Sequence, residues 1–153
     1  MRVSAKTDYA LRAAVELAAA HGNGTPVKGE RLATTQSIPL RFLENILLQL
    51  RHAGIVESRR GADGGYKLAR PPEEITLADV IRAIDGPLAG VSGQRPETLD
   101  FKGASEPLRD VWIAVRASLR GVLEGVTLAD VASGGLPDHV RSLTDEPDAW
   151  LPH

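Results

Sequence analysis

Two short extended runs, Ile55 to Arg59 and Tyr66 to Ala69, flank the segment Arg60-Gly61-Ala62-Asp63-Gly64-Gly65. Asp-Gly between two such runs is a strong hairpin signal, because tight hairpin turns need backbone angles that glycine and aspartate adopt readily. What precedes the hairpin is helical in texture. Residues 4 to 20 predict a helix that Ser4 can cap, with Ala10, Ala13, Ala14, Leu17 and Ala18 at helical spacing. The turn cluster His21 to Pro26 ends it. A short helix is expected from about Lys28 to Thr35, followed by the break Gln36-Ser37-Ile38. The next opens with Pro39, a favoured early helical residue, and runs to about His52 with Leu40, Leu43, Ile46, Leu47 and Leu50 inward. Ala53-Gly54 stops it, glycine being able to take the left-handed conformation that closes many helices.

Three short helices followed by a hairpin with basic residues at its tip describe a winged helix-turn-helix. The expected fold class is therefore mainly α with a small β-hairpin wing. Domains with the same elements exist that bind no DNA, so the order of elements alone does not decide function.

Beyond the hairpin, a fourth helix starts at Thr76, where Asp79 places a carboxylate by the free amides of the first turn, and ends at Asp85-Gly86-Pro87. Val126-Thr127-Leu128-Ala129-Asp130-Val131 nearly repeats its opening, which reads as one capping solution used twice. Between them, Leu88 to Ala104 is irregular and rich in Gly, Pro and polar residues. A long helix is expected from about Glu106 to Glu124, with Leu108, Val111, Trp112, Val115, Leu119, Val122 and Leu123 in one narrow stripe. Such a seam pairs with another helix, either of its own domain or of a second copy; the winged part looks complete by Gly86, which favours a self-associating arm.

Charge is distributed unevenly. Residues 1 to 70 carry eleven Lys and Arg against six Asp and Glu, whereas residues 71 to 153 carry seven against fourteen. A basic first half suits a polyanion, since phosphate neutralisation supplies much of nucleic-acid affinity; scatter over a solvated surface is the plain alternative. The chain contains no cysteine, which excludes disulfides, thiolate metal sites and cysteine nucleophiles. The most apolar early stretch, Tyr9 to Ala20, is broken by Arg12 and Glu16, so neither a membrane span nor a signal peptide is expected and a cytoplasmic location is the default.

Arg41, Glu44 and Asn45 fall at i, i+3 and i+4 of the third helix, opposite its leucine stripe. Arginine donates to guanine, glutamate accepts from cytosine and asparagine can bond adenine, so this face suits the major groove as well as it suits plain solvent. Arg59 and Arg60 precede a turn that carries them away from the core, where an arginine fits a narrow, electronegative minor groove. Gly61, Gly64 and Gly65 permit tight geometry and close approach to phosphates; no Gly-Lys-Ser/Thr follows, so a nucleotide-phosphate loop is rejected. Enzyme signals are poor. His21, His52, His139 and His153 are scattered without metal-ligand spacing, no serine sits in a nucleophile elbow, and Asp8 with Arg12 reads as a surface ion pair.

Several of these segments resemble one family. They are Lys6 to Ala13, Ile38-Pro39 with Phe42-Leu43-Glu44, and above all Leu50-Arg51-His52-Ala53-Gly54-Ile55-Val56 running into Arg60 to Arg70 through Tyr66. Together they are similar to the IscR/NsrR/CymR family, small dimeric bacterial winged-helix regulators of iron–sulfur assembly, nitric-oxide response and cysteine metabolism. The resemblance covers about residues 1 to 132. It implies that Glu44 and Asn45 read bases and that Arg60 enters the minor groove. Lys28 stands where the family usually has a serine or threonine capping the second helix. Cluster-binding members place three cysteines around Leu88 to Ala104, where this chain has none; Asp8 falls where some members supply a further ligand, but alone it holds no cluster.

The expectation is thus a winged domain over 1–86, a sensor-type loop over 87–104, a dimerisation helix with a short return helix over 105–133, and a flexible acidic tail over 134–153. DNA contacts are expected from Lys28, Pro39, Arg41, Phe42, Glu44, Asn45, Arg59, Arg60, Gly61, Gly64, Gly65 and Tyr66. The expected partners are a double-stranded operator, a second copy, and a small-molecule or protein effector, with no metal or other cofactor and no membrane. The alternative is a protein-interaction module that keeps this fold and docks on another protein.

Overall fold

In the computed structural model, which describes residues 1–152, helix α1 spans Ala5–Ala20. His153, one of the four histidines and the end of the expected tail, lies outside the described residues. The Ser4 hydroxyl accepts from the Thr7 amide at 3.1 Å and so satisfies a first-turn donor that the helix itself cannot. The inward face of α1 is Ala10, Ala13, Ala14, Leu17 and Ala18, all buried. Four alanines on that face leave room for the other elements to approach closely. Around it pack α2 (Gly29–Gln36) and α3 (Leu40–His52), which buries Leu43, Ile46, Leu47 and Leu50 while Leu40 is half-buried. Pro39 is the residue before the helix, not its first turn: its ψ of 126° is extended, and Leu40 begins the helical backbone.

Strands β1 (Val56–Arg59) and β2 (Gly65–Leu68) pair antiparallel, with Val56 opposite Leu68 and Arg59 opposite Gly65. Five residues close the hairpin, and the Gly64 amide donates to the Gly61 carbonyl at 3.0 Å. Ala62 and Asp63, rather than Asp63 and Gly64, are therefore the central turn residues. Position 64 admits only glycine in this turn: a Cβ there would lie 2.2 Å from the Arg59 carbonyl oxygen. Beside the hairpin, Val27 and Tyr66 exchange two backbone hydrogen bonds of 2.8 Å, a bridge that ties the connection before α2 to the wing. The arrangement is a winged helix-turn-helix, mainly α with one two-stranded hairpin.

Helix α4 (Leu77–Asp85) adds Val80 to the same core, and α5 (Leu108–Leu123) extends along the loop that follows. Helix α6 (Leu128–Ser133) then returns to α1. The two similar openings meet: the Leu77 amide donates to the Val126 carbonyl at 3.0 Å, and the Leu128 amide to that of Ile75 at 2.8 Å. Each also forms its own capping box, Thr76 with Asp79 and Thr127 with Asp130. Leu128 and Val126 are buried, Leu128 within the core of the winged domain. The core of the winged domain thus takes in Leu128, well beyond Gly86 in sequence. Within the stretch expected as an acidic tail lie α7 (Asp138–Asp145) and a short 3-10 turn at Pro147–Trp150. His139 anchors it, with Nε2 3.2 Å from the Gly121 carbonyl oxygen on α5.

Candidate nucleic-acid interface

Helix α3 is sharply two-faced. Leu43, Ile46, Leu47 and Leu50 fill the core, which leaves Arg41, Glu44 and Asn45 exposed on the opposite side with no side-chain hydrogen bond or ion pair among the described residues. Leu48 continues this outward row and is 42% exposed. Sequence periodicity held the signal for it, since placing Leu47 inside puts Leu48, four residues after Glu44, on the outer face. Phe42 is also partly exposed, but its ring meets Tyr9 edge-on at 5.7 Å, so it packs against α1. Arg12 in turn lies over the Tyr9 ring and pairs with Asp8 at 2.6 Å, the surface pair expected from the one-turn spacing.

The hairpin presents Arg59 and Arg60 in solvent. Its glycines are needed by the fold itself. Gly65 has φ +147°, and a Cβ there would sit 2.5 Å from the Val27 carbonyl oxygen, which the bridge to Tyr66 holds in place. Tyr66 is half-buried against the core and touches Gly29, while Gly61 faces open space. Lys28 makes no side-chain cap on α2. It reaches instead to the turn, where Nζ donates to the Ala62 carbonyl at 2.7 Å and to that of Gly61 at 3.3 Å. A serine or threonine could not span that gap. The lysine thus fastens the wing tip to the start of the helix-turn-helix, and Arg51 on α3 adds a second tie to Ser58 Oγ at 3.1 Å.

Far from the hairpin in sequence, α5 buries no residue fully. Leu108, Val111 and Val115 are exposed, while Trp112, Leu119, Val122 and Leu123 are half-buried. Leu123 packs on the small cluster of Ala78, Ile81 and Leu88. Trp112, Val115 and Leu119 line a cavity of about 290 Å³ together with Met1 to Val3 and Leu88. Among the described residues no helix is long and apolar enough to cross a membrane, and no group of three or more His, Cys, Asp or Glu could hold a metal ion.

Comparison with known proteins matches this arrangement. The family described as Rrf2, iron-dependent transcriptional regulator, matches residues 3–134. The Mycobacterium tuberculosis (strain H37Rv) protein Rv1287 is 54% identical over 146 residues, covering 95% of this chain and 90% of that one. The HTH-type transcriptional regulator CymR of Bacillus subtilis is 38% identical over 133 residues, covering 87% of this chain and 91% of that one. The solved structure of B. subtilis CymR, the global cysteine regulator, superposes with a TM-score of 0.75 at 36% identity, over 88% of this chain and 98% of that one. That of T. potens IscR gives 0.69 at 33%, over 100% of this chain and 93% of that one. With its helix-turn-helix, its wing and these relatives, the chain belongs to the Rrf2 family of DNA-binding transcriptional regulators.

Proposed function

We propose that the protein is a homodimeric repressor that reads a pseudo-palindromic operator with α3 in the major groove and the wing in the adjacent minor groove. The observation that carries this reading is the division of α3: its leucine side is sealed in the core, and its Arg41, Glu44 and Asn45 side is solvent-facing and makes no side-chain pair among the described residues. Glu44 and Asn45 then contact base edges and Arg41 a guanine or a phosphate, while Leu48 offers the apolar contact that a thymine methyl takes. Arg60, at the start of the hairpin turn, enters the minor groove, with Arg59 beside it. Lys28 and the Val27–Tyr66 bridge set the angle between wing and helix, so they position the contacts rather than make them.

The exposed apolar row of α5 supports dimerisation, because Leu108, Val111 and Val115 are only partly covered in a single copy, at 41%, 49% and 39% exposure. Two copies joined there present two α3 helices to half-sites about 34 Å apart. The loop over 87–104 and α5 carry the regulatory signal.

The iron dependence in the family's description does not fit this chain. Iron–sulfur clusters are held mainly by cysteine thiolates, and the sequence has no cysteine. The loop offers Glu97 and Asp100 as acidic ligands, and Glu97 is already paired with Arg116 at 2.5 Å. The signal is therefore read without a cluster.

The test is direct. The purified protein is mixed with fragments of its own genome, and the bound DNA is sequenced. A recurrent inverted repeat, bound saturably and with an affinity that falls as salt rises, is the expected result. Recovery of fragments with no shared site would refute sequence-specific regulation.

A further inference from the structure

Between the end of α4, the loop after it and α5 lies an open groove of about 930 Å³. Four arginines, Arg82, Arg95, Arg116 and Arg120, line it together with two acidic residues, Asp85 and Glu97. Residues 71 to 153 contain only seven Lys and Arg, and four of the seven converge here within the acidic half of the chain. None belongs to α3 or the hairpin, so the DNA-binding surface does not account for them. The volume is that of a metabolite site.

Internal partners do not use up these cations. Arg82 and Arg120 share the single carboxylate of Glu124, with Arg120 Nε 3.0 Å away. Arg116 pairs with Glu97, and Arg95 makes no ion pair or side-chain hydrogen bond among the described residues. Asp85 accepts from the Thr7 hydroxyl at 2.5 Å and lies within reach of Ser4. Both glutamates feel the positive surroundings. Glu97 is held below the ordinary glutamate range first by a backbone amide hydrogen bond and then by Arg116, and Glu124 by its hydrogen bonds from Arg82 and Arg120. All these pairs are partly exposed, and such pairs contribute little each, so an incoming anion can replace them at small cost.

We infer that this groove binds a small organic polyanion, one carrying two or more carboxylate or phosphoryl groups, and that its occupancy is the signal read at the operator. Planar guanidinium forks match both kinds of group in two-point contact, and several forks spread over one groove favour a ligand with several charges. The geometry gives occupancy a consequence. Arg82 sits on α4, Arg95 on the loop and Arg116 and Arg120 on α5, so one ligand ties the winged domain to the long helix. The inference rests on the regulatory reading above, and its test separates the two.

The full-length protein is titrated calorimetrically with citrate and with pyrophosphate at constant ionic strength, acetate serving as the single-charge control. Citrate or pyrophosphate should bind saturably and acetate should not; which of the two binds distinguishes carboxylate from phosphoryl recognition. Arg95→Ala removes no internal bond and should weaken binding by about tenfold or more, as should Arg120→Gln. Operator affinity should shift with the bound anion in the wild type and not in Arg95→Ala, whereas simple competition for the DNA-binding surface would persist in the variant. Failure of both probes to saturate, or equal binding by Arg95→Ala, would overturn the site. Anion binding with unchanged operator affinity would overturn its role as the signal. Operator binding measured without any anion reports on the regulatory reading independently.

Discussion

Gly65 shows how a glycine in a turn proposed to meet nucleic acid can be dictated by its own fold. Its φ of +147° and the 2.5 Å approach a Cβ would make to the Val27 carbonyl leave no other residue room. Gly65→Ala should cost about 1–3 kcal/mol in chemical denaturation, and the Val27 and Tyr66 amides should lose protection in hydrogen exchange. Unchanged stability would mean that the bridge yields without penalty. Arg60 and Glu44 are exposed and support no packing, so their alanine variants should keep the fold and divide by role. Arg60→Ala should weaken operator binding by about 1–3 kcal/mol. Glu44→Ala should relax discrimination at one operator position, read on a panel of sites varied one base at a time, because base contacts specify while phosphate contacts position. A uniform loss across the panel would assign Glu44 to helix stability instead. The outward row of α3 was legible from spacing alone. The route of Lys28 to the wing tip was not, since it joins residues more than 30 positions apart.

Among the elements, α5 leaves three large apolar side chains exposed in a single copy, Leu108, Val111 and Val115. Its stripe at steps of three and four follows from the sequence, yet the structure divides it: Leu123 is taken up by the cluster of Ala78, Ile81 and Leu88, and Leu108, Val111 and Val115 stay in solvent. Val115→Asp would bury a charge in a helix pair at a cost of several kcal/mol, so the copies should separate instead. Sedimentation should then report monomer, and operator affinity should collapse with the loss of the second half-site. A variant that stays dimeric would place the interface on another face. The paired openings of α4 and α6 teach the complementary lesson. Capping chemistry is local, so Thr76 with Asp79 and Thr127 with Asp130 could be recognised separately. Their cross-pairing through Val126 and Ile75 is a long-range contact that the repeat only hinted at.

For the whole molecule, the absence of cysteine carries the clearest consequence. The protein purified in air should bind its operator, and protein prepared without oxygen and supplied with iron and sulfide should remain colourless, with operator affinity the same before and after oxidation. The checks are the visible spectrum, the iron content and the binding curve. Stoichiometric iron with a charge-transfer band would overturn the expectation. The arginine-lined groove between α4 and α5 is where the proposed polyanion would supply an alternative input.

What the sequence determined by itself was most of what short spacing governs, the exact turn residues of the hairpin and the place of Pro39 excepted. The buried stripes of α1 and α3, the caps, the hairpin with its arginines, and the exposed trio on α3 each follow from residues within one or two turns of one another. Tertiary structure decided the rest. Leu128 packs into the core of the winged domain, Val27 joins the wing, a helix forms over Asp138–Asp145, and four arginines from three segments line one groove. The reason is physical: helix and strand periods encode which face is buried, but the partner that buries it is chosen by chain closure over tens of residues, and no local pattern records that choice.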